Sequence, residues 1–226
     1  TRYELRLEPD LTTATFIGQV TITLTVHQTT QTIILNAVDL VIDSARLEGQ
    51  DGHRIEGTTE LDHSLQRATL SLGRPISQGA WKLYLSFHGE LNDQLRGFYR
   101  STYKDQSGTV QTLAATQFEA TDARRAFPCW DEPDFKAVFA TTLVIDPQLT
   151  AVSNAAIVSE STENNKKVVR FSDSITMSTY LVAFIVGRLA ATKPAYVGKT
   201  PIRLWTIPGK QPLTPFGQDI AAASLK

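Results

Sequence analysis

The sequence has few of the features that mark several classes of protein. Its 226 residues include a single cysteine, Cys129, so no disulfide can form within the chain and a disulfide-stapled secreted scaffold is excluded. No Asn-x-Ser/Thr glycosylation site occurs, which together with the lone cysteine favours a cytoplasmic protein. No apolar run approaches the roughly 20 residues that span a bilayer, so we expect no membrane segment in this chain.

Charge of one sign is not in excess either. Lys and Arg total 22 against 23 Asp and Glu, which gives a formal net charge of −1. Because the neutralisation of nucleic-acid phosphates requires clustered positive charge, a strongly basic nucleic-acid binder is excluded. We therefore expect no nucleic-acid partner.

The common catalytic and metal-binding motifs are missing as well. No histidine belongs to an H-E-x-x-H helix or stands at zinc-ligand spacing from another histidine or cysteine, so we expect no metal site in this chain. There is no glycine-rich phosphate loop and no G-x-S-x-G elbow. The isolated histidines are predicted to be surface residues; they are His27, His53, His63 and His88.

Alternation of apolar and polar residues is the dominant pattern. Tyr3, Leu5 and Leu7 alternate with charged residues up to Pro9, which is predicted to end the first strand. Comparable runs lie at 20–26, 32–35, 40–47, 67–72, 81–88, 138–145, 167–171, 179–186 and 202–207. The run 179–186 is apolar on both faces and is predicted to be a central strand. With turn sequences between the runs and 42% hydrophobic residues, the pattern predicts an all-β fold, a large antiparallel β-sandwich.

Two short stretches depart from this pattern. Residues 122–127 are predicted to form a single helical turn. A helix is predicted to start at Pro215 and to run through an Ala-rich stretch towards Lys226. Because no C-cap signal precedes Lys226, we expect the native chain to continue.

Charge, aromatic rings and prolines are concentrated in residues 116–133, which we call the signature segment. In an extended chain Gln117 and Glu119 point to one side and Phe118 to the other. A carboxylate beside an amide can bind an ammonium group through charge-assisted hydrogen bonds. Composition alone, however, favours an ordinary solvent-facing strand for this pair.

The rest of the signature segment is interpreted as scaffold. Arg124 and Arg125 are predicted to form an ion-pair cluster with Asp131 and Glu132 that pins an irregular loop. Cys129 is predicted to be a buried structural thiol, since lone cysteines are commonly buried as small hydrophobic residues.

The run TQFEATDARRAFPCWDEPDFKAVF, residues 116–139, closely resembles a signature of the aminopeptidase N family, which are zinc metallopeptidases of the gluzincin type. Four other segments resemble family landmarks in the family's order: GFYRS at 97–101, VSN at 152–154, MSTYLVAF at 177–184 and IRLWTIPGK at 202–210. The resemblance covers nearly the whole chain. It implies the family's N-terminal domain, a saddle-like β-sandwich, over residues 1–213. Residues 214–226 would be the truncated start of the connection to a missing catalytic domain.

The resemblance also implies a function. In the family the zinc helix and the G-x-M-E-N exopeptidase motif lie in the next domain, and neither occurs here. Zinc would thus be the cofactor of the full-length enzyme, an aminopeptidase that releases N-terminal amino acids from peptides. This fragment would hold no zinc and no catalytic residue, and it should be inactive alone.

Gln117 and Glu119 match the family's T-Q-x-E segment. The resemblance therefore favours a binding role for this pair, where composition alone favoured an ordinary solvent-facing strand. The resemblance implies that Glu119 helps to hold the free α-ammonium of a peptide substrate and that Gln117 lines the pocket for its first side chain. The leukotriene hydrolase branch of the family lacks a Glu at this position, so Glu119 favours a plain aminopeptidase.

Two alternatives stay open. A non-catalytic relative could use the same domain as a protein-interaction scaffold, although a scaffold does not need the ammonium-binding pair. A free-standing carbohydrate-binding sandwich would require exposed aromatic platforms, whereas Trp81, Trp130 and Trp205 are interpreted as core residues.

Overall fold

A computed structural model describes residues 1–225 and consists mainly of β-strands. In chain order the strands are β1 (Arg2–Asp10), β2 (Thr15–Val26), β3 (Thr30–Asn36), β4 (Leu40–Gly49), β5 (Arg54–Asp62), β6 (Arg67–Ile76), β7 (Gly79–Glu90), β8 (Gly97–Lys104), β9 (Val110–Gln117), β10 (Val138–Ile145), β11 (Thr150–Ser153), β12 (Ile157–Glu163), β13 (Lys166–Phe171), β14 (Phe184–Gly187), β15 (Ala190–Ala191), β16 (Ala195–Val197), β17 (Thr200–Ile202) and β18 (Trp205–Thr206). The helical elements are three 3₁₀ turns and one α-helix; they are Ala123–Arg125, Thr179–Leu181, Gln211–Leu213 and α1 (Pro215–Ser224).

The strands form two larger sheets and two small ones. The ten-stranded sheet has the order β12-β13-β10-β1-β2-β7-β4-β5-β6-β3, and the four-stranded sheet has the order β11-β14-β9-β8. Two-stranded sheets pair β15 with β18 and β16 with β17. The ten-stranded sheet departs from the predicted antiparallel arrangement at one place, because β1 and β10 are parallel. The chain between them passes through the four-stranded sheet, and such a long crossover allows parallel pairing.

The two larger sheets share one hydrophobic core. Alternate residues of β1 and β2 point into it and are buried, as the period of two predicts. Phe16 of β2 packs on Phe98 of β8 with ring centroids 5.2 Å apart, and Phe98 packs on Phe184 of β14 at 4.9 Å. Apolar side chains from both sheets therefore meet across the core, and the all-β sandwich is confirmed.

The prediction that Pro9 ends the first strand is wrong. β1 extends to Asp10, and Pro9 pairs with Phe16 of β2. β10 follows β1 only as far as Leu7. A proline is tolerated here because this end of β1 has lost one of its two neighbouring strands.

The predicted central strand 179–186 is wrong in its first half. Thr179–Leu181 forms a 3₁₀ turn, and β14 begins only at Phe184. The hydroxyl of Thr179 donates a hydrogen bond of 2.6 Å to the buried carboxylate of Asp131. This tertiary contact outweighs the local strand preference of an apolar run.

The predicted strand 202–207 is also wrong as a single element. Ile202 ends β17, and the two residues Trp205 and Thr206 form β18 in a different small sheet. Between them the N–H of Leu204 donates to the hydroxyl of Thr192 at 3.1 Å, which turns the chain from one sheet to the other.

The interpretation of all three tryptophans as core residues needs one correction. Trp81 and Trp130 are partly buried against the main core. Trp205 is 41% exposed, because β18 belongs to a two-stranded sheet outside that core.

The predicted helix at Pro215 is confirmed as α1. The side chain of Gln218 donates to the carbonyls of Lys193 and Ile202 at 2.8 and 3.0 Å, which holds the helix against the small sheets. The domain boundary at residues 213 and 214 stays a prediction.

Candidate functional site

Gln117 and Glu119 lie on either side of a buried aromatic ring, where β9 ends. Gln117 is the last residue of β9 and pairs with Gly97 of β8. Phe118 is 2% exposed, and its ring packs against Phe127 and Phe184, each at a centroid distance of 6.0 Å. The side chains of Gln117 and Glu119 are both exposed. Burial of Phe118 therefore turns the two polar neighbours outwards, as the sequence predicts.

Glu119 begins a tight turn that leaves the four-stranded sheet. The N–H of Asp122 donates to the carbonyl of Phe118 at 2.9 Å and closes this turn, whose Glu119–Ala120 peptide bond is cis. We call residues 118–122 the Glu119 turn. The turn carries the Glu119 carboxylate two residues beyond the Gln117 amide.

A 3₁₀ turn follows directly and confirms the predicted helical turn. It spans Ala123–Arg125, and one of its N–H groups, that of Arg125, bonds back to the Glu119 turn by donating to the carbonyl of Asp122 at 3.1 Å. The Arg125 guanidinium donates from Nε to the Asp122 carboxylate at 2.7 Å and from Nη1 to Asp39. The Arg125 side chain is only 10% exposed.

The predicted Arg124–Asp131 pairing is confirmed. Nε of Arg124 donates to Oδ2 of Asp131 at 3.0 Å, and the Arg124 backbone N–H donates to the same oxygen at 3.2 Å. The Asp131 carboxylate also accepts a hydrogen bond from the Thr179 hydroxyl. Nη1 of Arg124 donates a hydrogen bond to the side-chain oxygen of Gln66 at 3.2 Å. With these partners a buried charge can be tolerated in the core.

Two parts of the predicted ion-pair cluster are wrong. Glu132 is exposed, and Arg125 pairs with Asp122 and Asp39 instead of with Asp131 or Glu132. Arg124 and Arg125 are consecutive residues of a 3₁₀ turn, so their side chains point in different directions and reach different carboxylates.

Cys129 is fully buried, as predicted. Its backbone forms a two-way bridge with Asn36, with N···O distances of 2.7 and 3.1 Å, and the N–H of Trp130 donates to the hydroxyl of Tyr3 at 3.2 Å. Burial raises the pKa of the Cys129 thiol well above its usual range, and the nearby Asp131 carboxylate raises it further. This thiol is suited to packing and not to nucleophilic attack.

The described residues do not offer a zinc site. In the range 1–225 no group of three or more His, Cys, Asp or Glu side chains stands where it could hold a metal ion. The four histidines are exposed, as predicted. Nδ1 of His88 is within hydrogen-bond distance of Oδ1 of Asp43, at 3.0 Å. No helix within residues 1–225 has both the length and the apolar character needed to cross a membrane.

Sequence reasoning missed the residues that hold the signature segment from outside. Asp39 and Thr179 contact it through side chains, and Asn36 bonds the N–H of Asp131 through its side-chain oxygen at 3.0 Å. No spacing rule connects these residues to the segment, because they are dozens of positions away. The local pair Asp122–Arg125, three residues apart, is the one contact that the spacing on a helical turn would have predicted.

Comparison with known proteins agrees with this structure. The sequence model of the Peptidase M1 N-terminal domain matches residues 1–181. The chain is 40% identical over 224 residues to the puromycin-sensitive aminopeptidase of Caenorhabditis elegans, which covers 98% of this chain and 24% of the relative. It is 38% identical over 228 residues to aminopeptidase M1 of Arabidopsis thaliana, covering 99% of this chain and 26% of the relative.

A third relative is the mitochondrial aminopeptidase 2 of Saccharomyces cerevisiae, 40% identical over 226 residues, with 99% of this chain and 23% of the relative covered. The chain thus spans about a quarter of the length of these relatives. The family match over residues 1–181 and the similarity along nearly the whole chain confirm the resemblance found in the sequence. The chain belongs to the Peptidase M1 N-terminal domain family, as the N-terminal domain of an aminopeptidase N family peptidase.

Proposed function

We propose that this chain is the substrate-anchoring domain of a zinc aminopeptidase that releases N-terminal amino acids from peptides. The observation that carries the proposal is the exposed pair Gln117 and Glu119, set on either side of the buried Phe118 within an M1 N-terminal domain. The relatives that match the chain are named as aminopeptidases.

The chemistry of the pair suits an exopeptidase. Such an enzyme must distinguish a free N-terminus from an internal amide, and a carboxylate favours the cationic ammonium. In this proposal the Glu119 carboxylate accepts hydrogen bonds from the substrate α-ammonium, and Gln117 lines the pocket for the first side chain. Fixing the N-terminus sets which peptide bond lies at the reaction centre, and such positioning lowers the barrier to reaction.

In this proposal the zinc would be held by a catalytic domain that is not part of this chain, as the family resemblance implies. That ion, once bound, would polarise the scissile carbonyl. This chain would contribute one wall of the substrate site, and by itself it would be inactive.

The test is Glu119→Ala in the full-length protein, with kinetics on aminoacyl-4-nitroanilides that carry a free α-amine. We expect the Michaelis constant to rise by an amount that corresponds to about 2–5 kcal/mol, because truncation leaves the ammonium without its partner. Zinc content, measured by atomic absorption, should stay the same. Gln117→Ala should instead change the relative rates among substrates with different first side chains.

Glu132→Ala is the matched control, since it removes an exposed carboxylate from the same signature segment. It should leave both kinetic constants unchanged. If Glu119→Ala has the same Michaelis constant and kcat as Glu132→Ala, the anchoring role is wrong. A full-length protein with neither bound zinc nor peptidase activity would favour the alternative, a non-catalytic relative that acts as an interaction scaffold.

A further inference from the structure

Beyond Phe118, whose ring is held in the core, the Glu119 turn has little support of its own. It follows the last residue of β9 and lies outside the strands, so no sheet ladder holds it. One backbone hydrogen bond, from Asp122 to Phe118, closes it. Glu119 and the two residues after it, Ala120 and Thr121, are exposed. A carboxylate on such a turn needs an outside contact if its position is to be fixed.

Arg125 supplies that contact from two directions. Its Nε donates to the Asp122 carboxylate at the end of the Glu119 turn, and its Nη1 donates to Asp39. Asp39 lies between β3 and β4 of the ten-stranded sheet. The guanidinium thus bridges the turn to the opposite layer of the sandwich, and it does so with two different nitrogens in a fixed planar arrangement that the single nitrogen of an ammonium does not reproduce.

The same side chain also lies against Gly97, the residue that pairs with Gln117. Gly97 is the strand partner of Gln117, and a Cβ placed on Gly97 would come within 2.7 Å of the Arg125 Cβ. The absence of a side chain at Gly97 therefore lets Arg125 lie directly against the β8 backbone. One arginine contacts both β8, the strand that pairs with the end of β9 at Gln117, and the turn that carries Glu119.

We propose that Arg125 is a positioning residue, which holds the Glu119 carboxylate and the Gln117 amide at the separation that a substrate ammonium requires. This inference rests on the proposed anchoring function. Arg125 itself acts through Asp122 and Asp39 and does not touch substrate. Its contribution is the placement of the turn.

The test uses Arg125→Lys and Asp39→Asn in the full-length protein. The first keeps a positive charge but replaces the separate Nε and Nη1 donors by a single nitrogen. The second removes one partner, whose side chain is 63% exposed and can be replaced without disturbing the core. Arg6→Lys is the matched control, because Arg6 forms an exposed pair with Glu163 at 2.8 Å on the ten-stranded sheet.

Hydrogen exchange, steady-state kinetics and zinc content are measured on each variant. Hydrogen exchange followed by mass spectrometry reports on the peptide that contains residues 117–125. We expect faster exchange there in both variants and no change in Arg6→Lys. The Michaelis constant for free-amine substrates should rise on the order of tenfold to a hundredfold with kcat and zinc content unchanged, since small misplacements of a binding group have effects of this size. In a Glu119→Ala background, Arg125→Lys should raise the Michaelis constant much less, because only the placement of Gln117 is then left to disturb.

The outcomes separate the two proposals. Unchanged exchange in Arg125→Lys overturns the positioning role whatever Glu119 does. A rise in the Michaelis constant that is equally large in the Glu119→Ala background also overturns it, because the effect then does not pass through Glu119. Faster exchange, combined with a normal Michaelis constant in Glu119→Ala, contradicts the anchoring function alone.

Discussion

The guanidinium of Arg124 and the carboxylate of Asp131 form an ion pair that is almost closed to solvent. Nε lies 3.0 Å from Oδ2, and the side chains are 11% and 1% exposed. The arginine is in the 3₁₀ turn that follows the Glu119 turn, and the aspartate lies seven residues later, beyond the buried Cys129. The pair therefore clamps the two ends of an irregular loop that has no ladder of strands to hold it.

Breaking this pair should destabilise the protein strongly. Arg124→Met leaves the Asp131 charge buried without its cation, and we expect a loss of about 3–5 kcal/mol in the free energy of unfolding. Urea denaturation would measure it. The control Arg6→Met breaks the exposed pair with Glu163 and should cost no more than about 1 kcal/mol. Equal losses in the two variants would show that burial of the pair has no energetic consequence.

Gly97 should not tolerate a side chain. Its φ is +67°, and an added Cβ would meet the Arg125 Cβ at 2.7 Å. We expect Gly97→Ala to cost about 1–2 kcal/mol for the left-handed backbone and about 1–3 kcal/mol more for the overlap. Gly108→Ala is the matched control, since its φ is +82° and no atom lies within 4 Å of the added Cβ. If the two variants lose the same amount of unfolding free energy relative to the parent protein, the steric part of this prediction is wrong.

Cys129 should be unreactive in the folded protein. Burial raises the pKa of its thiol, so the thiolate that attacks an alkylating reagent is scarce at neutral and mildly alkaline pH, and the sulfur is also inaccessible. We expect iodoacetamide at about pH 8 to modify the Cys129 peptide only after urea is added, at which point the thiol regains its ordinary pKa. Mass spectrometry of that peptide is the measurement. Rapid modification without urea would mean that this part of the core opens readily.

The hairpin between β8 and β9 should lose stability in acid through Asp105. Its carboxylate accepts a hydrogen bond of 2.6 Å from the Ser107 hydroxyl. It also accepts hydrogen bonds from the Gln111 side chain and from the backbone N–H groups of Thr109 and Ser107. Because these bonds favour the ionised form, the pKa of Asp105 in the folded protein lies below the ordinary value of 3.8. Because the pKa is lower in the folded than in the unfolded protein, the ionised carboxylate stabilises the fold at pH values above the pKa of the unfolded state. That contribution disappears as the pH falls through the lower, folded value.

Asp105→Ala should therefore be destabilising at about pH 7, and the difference from the parent protein should shrink below about pH 4. Urea unfolding at several pH values would measure both. A destabilisation that stays constant down to about pH 2 would indicate that the carboxylate charge has no part in holding the hairpin.

Local patterns in the sequence determined the strands with one buried face and the geometry at the end of β9. The alternation in β1 and β2 predicted their burial because successive side chains point to opposite faces of a sheet. The same rule predicted that Phe118 would be buried while Gln117 and Glu119 faced outwards. β12 gave no such signal, since all seven of its residues are exposed and it is held by backbone pairing with β13.

Tertiary structure alone decided which distant residues hold the signature segment. The partners of Arg125 and Asp131 outside the segment are 86 and 48 residues away along the chain, at Asp39 and Thr179. Local preference cannot specify such contacts, because they depend on how the two sheets pack and on the long crossover that makes β1 and β10 parallel. The sequence alone thus determined which residues would face solvent at the candidate site. The packed fold decided what holds them there, because buried charges have to be paired or hydrogen-bonded and several of their partners are brought near only by folding.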